Sequence, residues 1–230
     1  MSGSSFSERA LELLSRLADR PWSDDVYLAG SAALATYIEH RPIHAFDLMC
    51  GTNRLTGSER RELLFDLVPA LPEVEVETAR DSYLFVRVGG GSQEGFGVKF
   101  FYYPYPLVDP EEEFCGLPVA SRVDLGLMKI AAIISRGTRR DFVDLYLLCR
   151  SLPLGTLLER SGDKFGHVRD FPLQALKGLA DLSLVDGEPM PSLGRPVAWE
   201  EVETWLHGEV RRLGRTHVGL APEPEVTKKR

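Results

Sequence analysis

The sequence predicts an α/β protein with a mixed-sheet half over residues 1–106 and a helical half over residues 107–214. Three observations carry this. Short apolar strands alternate with helical stretches between residues 26 and 102. EVEVETA, residues 73–79, keeps strict two-residue alternation, the period of a strand. From Ser121 onward the apolar residues recur at helical spacing and no strand pattern returns.

Taken in order, SFSERALELLSRLADR places Leu11, Leu14 and Leu17 on one helical face, with Ser7 as N-cap and Pro21 as the stop. Val26–Ala29 is a short strand ending at Gly30, and SAALATYIEH is a helix with Leu34, Tyr37 and Ile38 on one side, ended by Pro42. IHAFDLMC is a second strand, with Ile43, Ala45 and Leu48 as its alternating apolar positions. SERRELLFDLVPAL is a helix capped by Ser58. EVEVETA and SYLFVRV are strands, and FGVKFFYYPY returns from the glycine-rich GGGSQEG as a pairing strand. Glycines between two strands, rather than before a helix, mark a hairpin tip and not a phosphate loop.

After Pro104 and Pro106 the segment PLVDPEEEFCGLP is expected to be a linker-like crossing with a solvated acidic run. S-R-V-D then resembles a capping box opening a helix over LGLMKIAAIIS. DFVDLYLLCR, LGTLLERSGDKFG, FPLQALKGLADLSL and WEEVETWLHGEVRRLG are four further helices, with a proline- and glycine-rich loop over residues 186–196. Residues 215–230 read as a disordered tail.

The 230 residues carry 27 Lys and Arg against 34 Asp and Glu, a formal charge of −7, so nothing global draws the chain to nucleic acid or anionic membrane. A local basic patch is compatible with that sum. No apolar run approaches the roughly 18 residues of a spanning helix, and MSGSSFSERA lacks the apolar core of a secretory signal. Cys50, Cys115 and Cys149 are far apart and odd in number, which fits three reduced thiols in a cytoplasmic protein and no zinc site.

Three segments carry chemistry. In YLAGSAALATYIEH, a strand ends in Gly30-Ser31 at a helix start, where free amides, the helix dipole and the Ser31 hydroxyl favour a phosphate; a plain N-cap is the alternative. Asp47 lies between Phe46 and Leu48, where a carboxylate is costly unless paired, bound to a metal, or capping a loop amide. In LGLMKIAAIISRGTRRDFVDLY, Lys129 stands on an apolar helix, Arg136, Arg139 and Arg140 cluster in the following turn, and Asp141 and Asp144 share one helical face. That cluster either aims at a phosphate or forms an ordinary charge-capped helix pair.

Together these segments resemble the AbiEii-type nucleotidyltransferase toxins, members of the nucleotidyltransferase-fold superfamily. Gly30-Ser31, thirteen residues, the strand A-F-D, and the helical K…R-G-T-R-R-D-F-V-D-L-Y fall in that family's order, with His40-Arg41…Asp47 and Arg140-Asp141…Asp144-Leu145-Tyr146 closest to its wording. The resemblance covers residues 25–150 and implies a nucleotidyltransferase-like mixed-sheet core followed by a helical domain. It implies transfer of a nucleotide from a nucleoside triphosphate to an RNA, protein or small-molecule hydroxyl with Mg²⁺, and an antitoxin partner. By that likeness Asp47, Lys129 and Asp141 are catalytic, and Asp47 is a magnesium ligand. Gly30, Ser31, Lys129, Arg140 and Asp144 hold the nucleotide, while Asp141 and Asp144 complete the cleft or hold its basic residues.

Two departures stand out. Ala45 replaces the first carboxylate of the family's Asp-x-Asp, and VKFFYYPY offers Lys99, Phe100, Phe101 and Tyr102 where a third carboxylate is expected. Two-metal phosphoryl transfer needs carboxylates shared between the ions, and one aspartate does not supply them. Asp109 and Glu111–Glu113 have no spacing that brings them to the site. The alternative expectation is therefore a catalytically impaired member acting as a nucleotide-binding or protein-interaction module.

Overall fold

The computed structural model describes residues 5–89, 95–217 and Gly219. The chain runs α1 (Glu8–Ala18), β1 (Val26–Ala29), α2 (Gly30–Tyr37), β2 (Ala45–Cys50), α3 (Gly57–Ala70), β3 (Val74–Arg80), β4 (Tyr83–Val88), β5 (Phe96–Tyr102), β6 (Glu112–Phe114) and β7 (Leu117–Val119). It continues as α4 (Arg122–Ser135), α5 (Arg139–Cys149), α6 (Leu154–Phe165), α7 (Phe171–Ala180) and α8 (Trp199–His217). The strands form one mixed sheet in the order β3-β4-β5-β2-β1-β7-β6. β2 runs parallel to β5 and antiparallel to β1, and β7 joins β1 in parallel.

The helix caps follow local chemistry. Ser7 accepts from the Ala10 amide at the start of α1, and Ser121 accepts from the Asp124 amide while donating to its carboxylate at the start of α4. Both are the expected caps; at α3 the N-cap is Thr56 rather than Ser58.

Three strand expectations are corrected. The supposed crossing 106–118 contains the β6–β7 hairpin, which adds two strands to the sheet. Its two-residue turn, Cys115-Gly116, has φ of 52° and 83°, the left-handed pair that matches strand twist in a tight hairpin. β2 presents Phe46, Leu48 and Cys50 to the core and turns Ala45, Asp47 and Met49 to the other face. β3 is not half-buried: it is an exposed edge strand with an irregularity between Val76 and Thr78. The glycine-rich tip at residues 90–94 and nearly all of the tail lie outside the described residues.

One apolar cluster packs the sheet against α1, α2 and α3, around Phe46, Phe100, Leu14, Leu28 and Leu67. A second fills the helical part, around Phe142, Leu145, Leu157, Leu179 and Leu206. Leu125 of α4 and Leu148 of α5 belong to the first cluster, so the helical part is anchored against the sheet. A buried ion pair adds a second anchor. Lys164 of α6 reaches Asp124 of α4 at 2.8 Å and donates to the Pro106 carbonyl, while Asp124 accepts from the Val108 and Asp109 amides. The chain's passage from sheet to helices is pinned there. No helix among the described residues is long and apolar enough to cross a membrane.

Candidate active site

A cavity of about 910 Å³ lies where the sheet meets the helical part. The cavity face of β2 and β5 contributes Ala45, Asp47, Met49, Lys99 and Phe101, and Gly30 and Ser31 open α2 at its rim. Opposite them stand Met128 and Lys129 of α4, Arg136, Thr138, Arg140 and Asp141 around the α4–α5 turn, and the segment 188–192. Gly30, Ser31, Asp47, Lys129, Arg140 and Asp141 thus share one cavity, as the sequence order suggests.

Gly30 has φ of 63°, a conformation that costs most residues roughly 1–2 kcal/mol. It also has no room for a side chain, because a Cβ there would run into the Asp47 carboxylate. What approaches Gly30 closely is therefore Asp47, the register partner of the neighbouring Ala29. Among the described residues no side chain caps the start of α2, where Ala29 holds the N-cap position, so Ser31 is not a plain N-cap.

Asp47 finds a cation instead of a loop amide. Lys99, its register partner across the parallel β2–β5 pair, places Nζ 3.7 Å from Oδ1. Burial pushes the Asp47 carboxyl above the usual carboxylate range, against the pull of Lys99, Lys129 and Arg41.

Deeper in the wall, two aspartates organise the cations. Lys129 Nζ lies 3.0 Å from Asp141 Oδ1 and 2.7 Å from Asp144 Oδ2. Asp144, with no exposed surface, also accepts Arg41 Nη2 at 2.8 Å. Asp141 accepts Arg136 at 3.0 Å and the Thr138 hydroxyl at 2.8 Å, closing the start of α5. Burial is the largest single influence on these carboxylates and works against their charge, but Lys129, Thr138 and Arg136 together outweigh it and hold Asp141 below its ordinary pKa; Lys129 and Arg41 together hold Asp144 at about 2. Burial likewise opposes the charge on Lys129, which Asp144 and Asp141 nevertheless raise above its ordinary pKa.

Two residues, Asp144 and Arg139, are placed differently from the sequence reading. Asp144 does not line the cavity; it sits behind it and reaches the site through Arg41 and Lys129. Arg139 turns away, donating to the Val185 carbonyl and lying 4.6 Å from the Trp199 ring centroid. Its backbone amide donates to Glu188, which fixes the 188–192 wall. Asp109 pairs with Arg160 and lies outside the cavity, as do Glu111–Glu113.

Arg41, Lys99 and the 188–192 wall were given no role by the sequence. Arg41 was legible only as half of His40-Arg41, Lys99 only as a departure from pattern, and the wall had no signal. The five cavity-lining cations, Arg41, Lys99, Lys129, Arg136 and Arg140, outnumber the carboxylates they face. The surroundings of this cavity are basic within a chain of net charge −7. Among the described residues, no cluster of three or more His, Cys, Asp or Glu side chains could hold a metal.

The AbiEii family model, described as the nucleotidyl transferase AbiEii toxin of a type IV toxin–antitoxin system, matches residues 12–191, and the chain belongs to this family. A relative from Aquifex aeolicus (strain VF5), uncharacterized protein aq_aa25, is 28% identical over 145 residues, 60% of this chain. The match spans 65% of that relative's length. MenT4, the nucleotidyltransferase toxin Rv2826c from Mycobacterium tuberculosis H37Rv, superposes with a TM-score of 0.59 at 16% identity, covering 87% of this chain and 81% of that one. JHP933 from Helicobacter pylori superposes with a TM-score of 0.52 at 18% identity, covering 93% and 97%. At these identities the superpositions show a shared fold, the nucleotidyltransferase-like core followed by helices.

Proposed function

We propose that the cavity binds a nucleoside triphosphate and that the chain's reaction is nucleotidyl transfer to a hydroxyl of an RNA, a protein or a small molecule. One observation carries this: the uncapped start of α2 and the cations Arg41, Lys129, Arg136 and Arg140 converge on one cavity with Asp47. Helix N-termini and charge-assisted hydrogen bonds are the usual means of holding phosphate. Met49, Phe101, Met128 and Met190 supply an apolar wall suited to a planar base.

In the transfer, the acceptor oxygen bonds to the α-phosphorus, the bond to pyrophosphate breaks, and the hydroxyl proton leaves to a base. Asp47 is the better proton acceptor because burial raises its pKa. Asp141, held down by Lys129 and Arg136, positions those cations. Asp144 does the same for Arg41 and Lys129. The donor set does not fit the family's two-metal site: Asp47 has Ala45 two residues before it and Lys99 beside it.

That same departure favours a second reading, in which the nucleotide is bound and transferred slowly or not at all. Incubating the protein with each labelled triphosphate, Mg²⁺ or Mn²⁺, and tRNA or protein acceptors separates the two. Incorporation that disappears in Asp47→Ala supports the transferase; triphosphate binding without incorporation supports the binding module. The family's description as the toxin of a toxin–antitoxin system supports an antitoxin partner, and a triphosphate substrate supports a place in the cytoplasm.

A further inference from the structure

The mismatch between the cavity and a metal site has a specific form. In the sheet, Ala45 faces Gly97 and Asp47 faces Lys99 across the parallel β2–β5 pair. A Cβ at Gly97 would be tightly placed, 3.0 Å from the Ala45 Cβ and 3.2 Å from the Phe85 ring. Of these four paired positions, one is a carboxylate and one is an ammonium. Magnesium demands an octahedron of oxygens and is held through carboxylates and substrate phosphates. Here the lone carboxylate already has Lys99 Nζ at 3.7 Å from its Oδ1.

Lys99 is not a side chain that has strayed over the site. Phe85 stands opposite it on β4, and its Nζ lies 5.6 Å from the Phe85 ring centroid, within cation–π reach. Asp47 on one strand and Phe85 on the other therefore hold the ammonium from two sides. Its side chain keeps 31% of its surface exposed and lines the cavity. A lysine ammonium has three donors, and one carboxylate does not exhaust them.

We infer that Lys99 stands in place of the metal, so that the cavity binds the polyphosphate of a nucleotide without a divalent cation. This rests on reading the cavity as a nucleotide site. The ammonium supplies fixed positive charge between Asp47 and the incoming phosphates, beside Lys129 and Arg140. A divalent ion entering the same space meets a like charge and only one carboxylate.

Calorimetric titration of the full chain with inorganic triphosphate and with ATP, GTP, CTP and UTP, in EDTA and again in Mg²⁺, tests this. Binding in EDTA, no tighter with Mg²⁺, is the expected result. Lys99→Ala should weaken binding in EDTA about tenfold or more, the factor that one charge-assisted hydrogen bond gives. Lys99→Arg, which keeps the charge, should restore most of it. The double variant Ala45→Asp/Lys99→Asp should bind only with Mg²⁺. Binding by the unmodified chain that appears only with Mg²⁺ overturns the inference and leaves the nucleotide reading standing. No binding in either buffer overturns both. Lys99→Ala that binds as tightly as the unmodified chain in EDTA, with an unchanged melting curve, reduces Lys99 to a counter-charge for Asp47. The unmodified chain's titration decides whether the cavity needs a divalent cation even if a variant fails to fold, and Lys99→Arg tests the role of Lys99 with the charge kept.

Discussion

Arg41 Nη2 lies 2.8 Å from Asp144 Oδ2, a contact between residues 103 positions apart that closes the back of the cavity. It joins the two motifs that carry the family resemblance, His40-Arg41…Asp47 and Arg140-Asp141…Asp144. The strand segment and the helical segment are thus one structure, with Lys129 as the third member. Removing Asp144 leaves two cations, Arg41 and Lys129, at 10% and 12% side-chain exposure without their main counter-charge. Breaking a buried ion pair from one side costs about 3–5 kcal/mol. Asp144→Ala is therefore expected to lower unfolding free energy by that order in urea titrations. A loss below about 0.5 kcal/mol, the range of ordinary surface substitutions, would show that the network contributes little.

The same network makes stability depend on acid. His40 is buried with Nε2 3.7 Å from Asp144 Oδ1, and burial, helped by Arg41, lowers its pKa despite Asp144. Below the ordinary value of about 6.5, the unfolded imidazole takes up a proton that the folded one resists, so stability falls as pH drops through that value. Asp144, held at about 2, contributes stability present above its unfolded value of about 3.9 and lost as pH falls toward 2. Denaturant unfolding between pH 7.5 and 3 should decline in two stages. His40→Gln should remove the upper stage; an unaltered upper stage in that variant would assign it to other groups.

Lys164 and Asp124 tie the chain's passage from sheet to helices. Both side chains are fully buried, and burial pulls the Lys164 pKa below its ordinary value against the pull of Asp124. Lys164→Met leaves Asp124 with amide and hydroxyl donors but no cation. A loss of about 3–5 kcal/mol is expected, and Lys164→Met/Asp124→Leu should recover part of it, because apolar replacements of buried pairs are often neutral. A double variant less stable than the single would mean that the amides of Val108 and Asp109 depend on the carboxylate more than on the pair.

Gly30→Ala should destabilise by at least about 1 kcal/mol from its left-handed backbone alone, with a further loss because the new Cβ meets Asp47. Removing the carboxylate relieves only the second part. Gly30→Ala is therefore expected to cost less in an Asp47→Ala background, a coupling that a double-mutant cycle measures. Strict additivity would contradict the close packing of these two residues.

Much of this architecture was legible because its signals are local. Ser7 and Ser121 cap where the sequence places them, and the helical spacing of Phe142, Leu145 and Leu148 matches their burial. The β6–β7 hairpin was hidden because Cys115-Gly116 lacks the Asn or Asp that usually marks such a turn, and Pro118 interrupts a three-residue strand. The face of β2 was misjudged because Ile43 is buried before the strand begins, which shifts the apparent alternation by one. Gly30, Ser31, Asp47 and Lys129 could be read from their motifs. The Asp47–Lys99 and Arg41–Asp144 pairs could not, since sheet register and helix docking create them over long separations.

Arg140 gives the cleanest test of the nucleotide site. Lys129→Ala disturbs Asp141 and Asp144 along with any ligand, so a fall in affinity there mixes binding with stability. Arg140 is exposed, lines the cavity, and has no ion-pair partner among the described residues. Its removal should leave stability within about 0.5 kcal/mol of the unmodified chain, as for other exposed side chains. A charge-assisted hydrogen bond to phosphate contributes about 1.5–3 kcal/mol, so Arg140→Ala should weaken triphosphate binding about 10- to 150-fold. Titration and thermal melting of the same preparation read both quantities. Unchanged affinity with an unchanged melting curve would take Arg140 out of the site and leave Arg41, Lys99, Lys129 and Arg136 as its phosphate-binding cations.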